Sequence, residues 1–283
     1  MLNEAEFYLE DLKSKFAKIK SEDYYLSYSG GRDSHFLFWF IKEYLHDDKI
    51  EIVGINTGLE IVEIANRMKN NADRILRPTM KPFDIKEQYG IPCVSKSQDE
   101  MVYMYRKQIS EKGYATPHFV ERVENSLDSK SFFKINNKLH NALFDGTLHN
   151  ISDLCCKYLK KQPARNYEKE NNKLPIIGIM GEESKKRKSM LTSCFNQKKY
   201  FYPIWDLTSN IQNIIEIRYG IEIPNIYNYV SQTGCVGCPY GIKRHKKNEN
   251  EFSFATPQQQ KFCINYFKES YDFHGFDYNK YLK

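Results

Sequence analysis

The sequence predicts an α/β protein: a parallel sheet with helices on both faces, a helical insertion, and a C-terminal lobe that carries cysteines. Three observations predict it. From residue 3 to residue 89, short apolar runs alternate with amphipathic stretches at the spacing of strand–helix units, whose strands lie parallel. A polar stretch rich in Lys, Glu and Ser, residues 95–150, interrupts that rhythm, and PIIGIM (175–180) restores it. From Ser231 the composition changes again, to glycine, cysteine and lysine and then to aromatic residues.

Taken in order, Ala5, Leu9, Leu12, Phe16 and Ile19 recur at three- and four-residue steps and predict a helix over 3–20. Tyr24–Tyr28 reads as a strand, His35–Leu45 as a helix, and Glu51–Asn56 (EIVGIN) as a second strand. Leu59–Met68 reads as a helix, Arg74–Leu76 as a short strand and Phe83–Tyr89 as a further helix. Residues 95–150 read as helices and loops. Pro175–Met180 has the pattern of a buried strand, Leu207–Arg218 reads as a helix, and Pro224 stops the segment after it. There is no internal repeat and no long low-complexity linker. The expected division is a core over 1–230, with its insertion at 95–150, and a lobe over 231–283 packed on it.

The chain has 283 residues, enough for one large domain with an appended lobe. With 41% hydrophobic and 28% charged residues it can bury a core. A formal net charge of +6 favours acidic small molecules or nucleic acid without choosing between them. The first twenty residues carry Glu, Asp and Lys among their apolar positions, which does not fit a signal peptide. HFLFWFI is too short to span a membrane, so the expected location is the cytoplasm, with no membrane partner. In a reducing compartment the seven cysteines point to metal or redox work rather than to a disulfide framework.

SYSGGRDS (27–34) lies between the first strand and the helix that follows it. Gly30 and Gly31 allow close approach of a ligand to the backbone, and the helix start adds partial positive charge. Ser29 and Ser34 offer hydroxyls, and Arg32 can fork onto phosphate oxygens. Asp33 is a carboxylate that phosphates repel unless a cation intervenes or it caps the helix. The turn therefore suits a phosphate. It also suits a plain strand-to-helix turn with Asp33 or Ser34 as N-cap. It is neither Gly-x4-Gly-Lys-Ser/Thr nor G-x-G-x-x-G.

Cys155–Cys156 and Cys235-x-x-Cys238 are the clustered thiols. A C-x-x-C turn, kept tight by Gly234 and Gly237, can bring two thiolates to one metal centre, and four thiolates suit either Zn²⁺ or an iron–sulfur cluster. Cys93, Cys194 and Cys263 lack partners at informative spacing and are expected to be buried and structural.

The SGGxDS loop resembles that of the adenine-nucleotide alpha-hydrolase superfamily, the PP-loop proteins, with Arg32 where many members carry Lys. Further segments are similar to its adenylylsulfate and phosphoadenylylsulfate (APS and PAPS) reductase branch: Asn56-Thr57-Gly58-Leu59-Glu60; Tyr89-Gly90-Ile91-Pro92 followed by Ser95-Lys96; Gly181-Glu182-Glu183-Ser184-Lys185-Lys186-Arg187; and Tyr202-Pro203-Ile204-Trp205. These matches run in the family's order from about residue 24 to 241. The resemblance implies a Rossmann-like (HUP-type) domain that binds an adenine nucleotide: ATP, APS or PAPS. It assigns Ser29, Gly30, Gly31, Arg32, Asp33 and Ser34 to the ligand, with Glu60, Lys96, Glu183 and Arg187 as further contacts. For Glu60 a first-turn carboxylate, and for Arg187 a solvated basic face, are the plainer alternatives.

The CC…CxxC set, with Thr233-Gly234-Cys235 opening its second half, is similar to the [4Fe–4S] ligands of APS reductases and related proteins. Lys160 stands where that family has a lysine near the cluster. The resemblance thus implies Cys155, Cys156, Cys235 and Cys238 as metal ligands, and Arg32, Asp33 and Lys160 as catalytic residues. Mg²⁺ is the expected companion of ATP. One departure matters. Reductases of the branch carry a nucleophilic cysteine in a Glu-Cys-Gly-x-His-like tail, whereas this chain ends YDFHGFDYNKYLK. Cys263 lies in apolar QKFCINYF, which raises a thiol's pKa. Three functions remain: an ATP pyrophosphatase-type enzyme that adenylates an acceptor, such as a nucleic acid, and delivers sulfur with help from the cluster and a donor protein; an APS/PAPS reductase with an atypical or partner-supplied thiol; and a non-catalytic nucleotide-binding protein. For the first, the Lys/Arg runs at 185–188 and 242–247 are expected to form a basic face or, equally, to be ordinary solvated charge.

Overall fold

The computed structural model describes residues 2–183, 192–230, 232–241 and 251–282, with residues 2, 3 and 183 described through their backbone alone. The chain divides into two compact units, Met1–Arg77 with Pro163–Ser231 and Pro78–Gln162 with Gln232–Lys283. The stretch read as an insertion, 95–150, lies in the second unit. The lysine-rich segments 185–188 and 242–247 lie outside the described residues.

The first unit is a Rossmann-like α/β fold. Its strands are β1 (Tyr24–Tyr28), β2 (Glu51–Ile55), β3 (Arg74–Leu76) and β4 (Leu174–Ile176), in the spatial order β3-β2-β1-β4. Every pairing is parallel. Tyr25 stands opposite Glu51 on one side and Pro175 on the other.

Strand side chains alternate between faces, and the packing follows that alternation. Tyr24, Leu26 and Tyr28 turn to a core shared with Leu9, Leu12 and Phe16 of α1 (Leu2–Phe16), Phe36 of α2 (Arg32–Trp39) and Ile215 of the helix Ser209–Tyr219. Tyr25 and Val53 turn the other way, onto Tyr167 of the helix Gln162–Asn171, with the Tyr25 and Tyr167 rings 4.9 Å apart. Helices thus cover both faces. Each fully buried Leu or Phe in these layers contributes about 2 kcal/mol.

The structure moves several predicted boundaries. α1 ends at Phe16 rather than residue 20, because a short 3-10 turn at Ser21–Asp23 feeds β1. α2 starts at Arg32, three residues early, since Gly31 serves as its N-cap. It continues through a wider, π-type turn at Phe40–Tyr44. α3 (Val62–Asn71) starts late because Thr57–Glu60 forms a closed turn first. β4 stops at Ile176, after which the chain bonds to Phe201 through Ile177 N–H at 2.8 Å.

In the second unit the described elements are helices, turns and a single parallel bridge between Ile91 and Ile151. α4 (Pro82–Tyr89) is followed by α5 (Lys96–Lys112), which Ser95 caps by accepting from Gln98 N–H and which Gly113, at φ 77°, terminates. The helix Asn137–Phe144 is capped by Asn136. Val102, Val123, Ile135, Leu139 and Ile151 form the core beneath them. The longest helix of this unit, Pro257–His274, was not read from the sequence, although its signals were there: Thr256 and Gln259 form a reciprocal capping box, Pro257 opens the helix and Gly275 closes it.

Candidate functional site

β1 is the strand at which the sheet order reverses: the chain goes on to β2 and β3 on one side and later places β4 on the other. In open α/β sheets the crevice at the carboxyl end of such a strand is where ligands bind. Residues 29–34 occupy that place.

Gly30 has φ 75°, and a Cβ there would stand 2.6 Å from Ile64 O. The turn therefore needs glycine twice over, for conformation and for its seat on α3. Ser29 N–H donates to Ser34 Oγ at 3.2 Å, the two hydroxyls lie 2.9 Å apart, and Ser34 Oγ donates to Gly31 O at 3.1 Å. The N-cap is Gly31, with no side-chain cap, so neither Asp33 nor Ser34 fills the capping role that the sequence allowed. Gly178, just beyond β4, lies against the start of α2; a Cβ there would meet Asp33 O and Ser34 N at 3.1 Å.

Arg32 is not turned toward an open phosphate position. Its Nε donates to both Glu216 oxygens at 3.0 Å, and its Nη2 bonds Glu216 and Asn213. Glu216 is 2% exposed, so the guanidinium compensates a buried carboxylate. Burial still pushes the Glu216 carboxyl upward, against the pull of Arg32. Gln212, on the same helix, donates to Asp33 Oδ1 at 3.3 Å, and Arg32 N–H donates to Tyr227 Oη at 3.1 Å. Glu216, Gln212, Asn213 and Tyr227 shape the turn from about 180 residues away, and no local motif signals them.

Glu60 is buried and accepts from Thr57 N–H at 3.0 Å and Thr57 Oγ1 at 2.7 Å, which closes the loop after β2. His35, on α2, meets Tyr28 Oη through Nδ1 at 3.0 Å; burial, then the Arg67 charge, lowers its pKa to about 4. Among the described residues two buried donors of this unit, Arg67 Nη1 and Trp205 Nε1, have no hydrogen-bond partner. The Trp205 indole belongs to the Tyr202–Trp205 segment singled out above.

Lys96, Lys160 and the four clustered cysteines belong to the second unit. Lys96 is exposed at the first position of α5. Glu183 contributes backbone to a 3-10 turn at Gly181–Glu183, and Arg187 lies outside the described residues.

Cys155 and Cys156 sit in the short helix Leu154–Cys156, whose chain continues through a π-type turn at Lys157–Lys161. Burial raises the Cys155 thiol to about 12, the negative charge of Cys235 and Cys156 adds to the rise, and Tyr266 and Lys160 oppose it. Burial also raises the Cys238 thiol, again with Cys235, Cys156 and Cys155 adding to it. The two halves of the set, far apart in sequence, thus lie within electrostatic reach of each other. Among the described residues no three His, Cys, Asp or Glu side chains are drawn close enough to hold a metal ion. Thiols are the donor type a thiolate-bound centre uses, and Cys155, Cys156, Cys235 and Cys238 act on one another electrostatically, so a cation would offset their repulsion once they ionise.

Cys263 and Cys93 are fully buried, each pushed up to about 12 by burial, and Cys194 is half-buried beside the core of the first unit. Among the described residues no helix is long and apolar enough to cross a membrane.

No family model matches the chain, and no curated protein matches it. Among solved structures it is similar to the crystal structure of a phosphoadenylyl-sulfate (PAPS) reductase from Candida auris in its phosphate complex, with a TM-score of 0.42 and 11% sequence identity over 81% of this chain and 87% of that one. At that level the likeness alone assigns neither family nor substrate.

Proposed function

We propose that this chain is an adenine-nucleotide-binding enzyme of sulfur chemistry, of the PP-loop type and akin to the PAPS reductase branch. Its reaction is ATP pyrophosphatase-type activation coupled to sulfur transfer to a nucleic acid or other acceptor. The observation that carries this reading is the Ser29–Ser34 turn at the carboxyl end of β1, where the sheet order reverses.

In this reading the hydroxyls of Ser29 and Ser34 and the amides at the start of α2 bind the phosphates. An acceptor oxygen attacks the α-phosphorus, the α–β bridging bond breaks, and pyrophosphate leaves with the electron pair; sulfide-level sulfur from a donor protein then attacks the activated acceptor atom, and AMP leaves with the acceptor's oxygen. Asp33, whose Oδ1 accepts from Gln212 Nε2, would supply the carboxylate for a Mg²⁺ bound with those phosphates. Arg32 acts from a distance: held by Glu216, it fixes the first turn of α2 rather than gripping a phosphate oxygen. Cys155, Cys156, Cys235 and Cys238 would hold a [4Fe–4S] cluster, and Lys160, whose charge already acts on Cys155, would offset the anionic character of that centre. The cluster would supply electrons or carry sulfur when bound.

Cys263 counts against the reductase alternative. It is 0% exposed, it donates to Val236 O at 3.2 Å, and its thiol is raised to about 12, so it is a poor nucleophile. The deciding experiment is anaerobic incubation with ATP and Mg²⁺, or with APS or PAPS and thioredoxin. Pyrophosphate without sulfite supports the adenylating enzyme. Sulfite makes the chain a reductase, and neither product leaves a nucleotide-binding protein.

A further inference from the structure

The C-x-x-C turn and Cys155 share one support. Helix Pro257–His274 sends three fully buried side chains to them: Cys263 Sγ donates to Val236 O at 3.2 Å, Tyr271 Oη to Gly237 O at 2.5 Å, and Tyr266 Oη to Cys155 Sγ at 3.9 Å. Gly237 has φ 67°, and a Cβ there would meet Tyr271 Oη at 2.6 Å and Cys263 Sγ at 2.9 Å. The turn is therefore seated directly on the helix, with no room for a side chain between them. The Tyr266 ring is fixed independently of its hydroxyl, by Phe267 at 4.7 Å, Phe262 at 5.4 Å and Phe83 at 5.5 Å.

We infer that this helix is the bed that positions both thiol arms, and that Tyr266 is the hydrogen-bond donor to the Cys155 sulfur that sets the reduction potential of a cluster held there. The second half rests on the cluster reading proposed above. The physical reason is direct: an O–H aimed at a ligating thiolate stabilises the more anionic, reduced cluster, so it raises the potential. Tyr271 and Cys263 donate to backbone carbonyls of the turn and act by holding it.

The test compares wild type, Tyr266→Phe and Tyr271→Phe, each checked for wild-type helix content by circular dichroism. After anaerobic reconstitution, iron and sulfide per chain are measured and the midpoint potential is titrated. Y266F should keep the wild-type iron content and show a more negative potential; an unchanged potential at full iron content overturns the donor role. In metal-free protein, hydrogen exchange is read by peptide. Y271F should speed exchange in 235–238 about fivefold while leaving 24–36 unchanged; unchanged exchange in the turn overturns the bed. If wild type takes up no iron and sulfide, the cluster reading fails and takes the donor role with it, and the exchange measurement still decides the bed.

Discussion

The two units build their candidate functional residues in opposite ways. The first places most of its candidate ligand contacts in one unbroken run, Ser29–Ser34, at the end of one strand. The second brings together thiols from two separate segments, 155–156 and 235–238, and seats them on a third, the helix Pro257–His274. The contiguous run keeps its contact residues together by chain connectivity, although Glu216, Gln212, Asn213 and Tyr227 hold its start from far along the sequence. An assembled site depends on every segment that contributes to it.

That contrast can be broken most sharply at the thiols. Cys235→Ser should abolish metal binding and visible absorbance outright, and also loosen the C-terminal stretch. Retention of a full complement of metal, measured by elemental analysis, would remove this ligand set. Next in size, Ser29→Ala with Asp33→Ala should reduce ATP affinity below detection in calorimetry, with the melting temperature of the first unit nearly unchanged. Undiminished affinity would mean that the turn is structural.

Arg32 sharpens the contrast from the other side. Arg32→Ala leaves Glu216 buried without its cation, so it should destabilise the first unit by about 3 kcal/mol in chemical denaturation. A loss confined to ATP affinity, with stability intact, would return Arg32 to the phosphate.

The smallest effect is acid response. In the first unit His35 has its pKa lowered to about 4 from an ordinary 6.5. Its stability contribution is present above pH 6.5 and is lost as pH falls toward 4, a loss of about 2 kcal/mol after allowing for partial exposure. In the second unit His149 is lowered to about 4 in the same way, mainly by burial. There Asp99, fully buried and raised to about 6 by that burial, works against it. Its contribution is complete below pH 3.8 and fades as pH rises through 6, so it offsets part of the His149 loss on acidification. Glu216, raised in the same direction in the first unit, offsets His35 less because Arg32 pulls against that rise, so the first unit should loosen first between pH 6 and 4. Trp39 and Trp205 both lie in that unit, so tryptophan fluorescence reports it. His35→Gln should flatten the response, and simultaneous loosening of both units by hydrogen exchange would count against the assignment.

Legibility in the sequence followed the same division. β1 falls where its apolar run puts it, because a parallel strand buried on both faces is written as a short, mostly hydrophobic stretch, and β3 keeps its predicted bounds as an edge strand with Arg74 exposed and Ile75 and Leu76 half-buried. The glycine turn was readable because its chemistry lies in adjacent residues. Its supports were not: nothing near Gln212, Glu216 or Tyr227 in sequence marks them as partners of Arg32 and Asp33. The cysteines were readable by type and spacing, while their bed was overlooked. Aromatic crowding in QKFCINYFKESYDF hid a helical period that runs through Cys263, Tyr266, Phe267, Ser270 and Tyr271. Glu60 stood out only through the resemblance, and its carboxylate closes the loop after β2 by accepting from Thr57, a local role that the sequence spacing does not announce.

The pairing of β1 with β4 has a consequence for how the chain is made. Tyr24 finds its neighbour in Leu174, so during synthesis one edge of the central strand stays open until the ribosome has passed through all of residues 78–162. An unpaired apolar strand edge invites association with other nascent chains, and distant parallel pairing is slow to form. The bonds that Tyr25 and Tyr200 both make to Glu168 form only when the residues after 162 arrive. Expression should accordingly be sensitive to temperature and to chaperone supply, with cold, slow production giving the larger soluble yield.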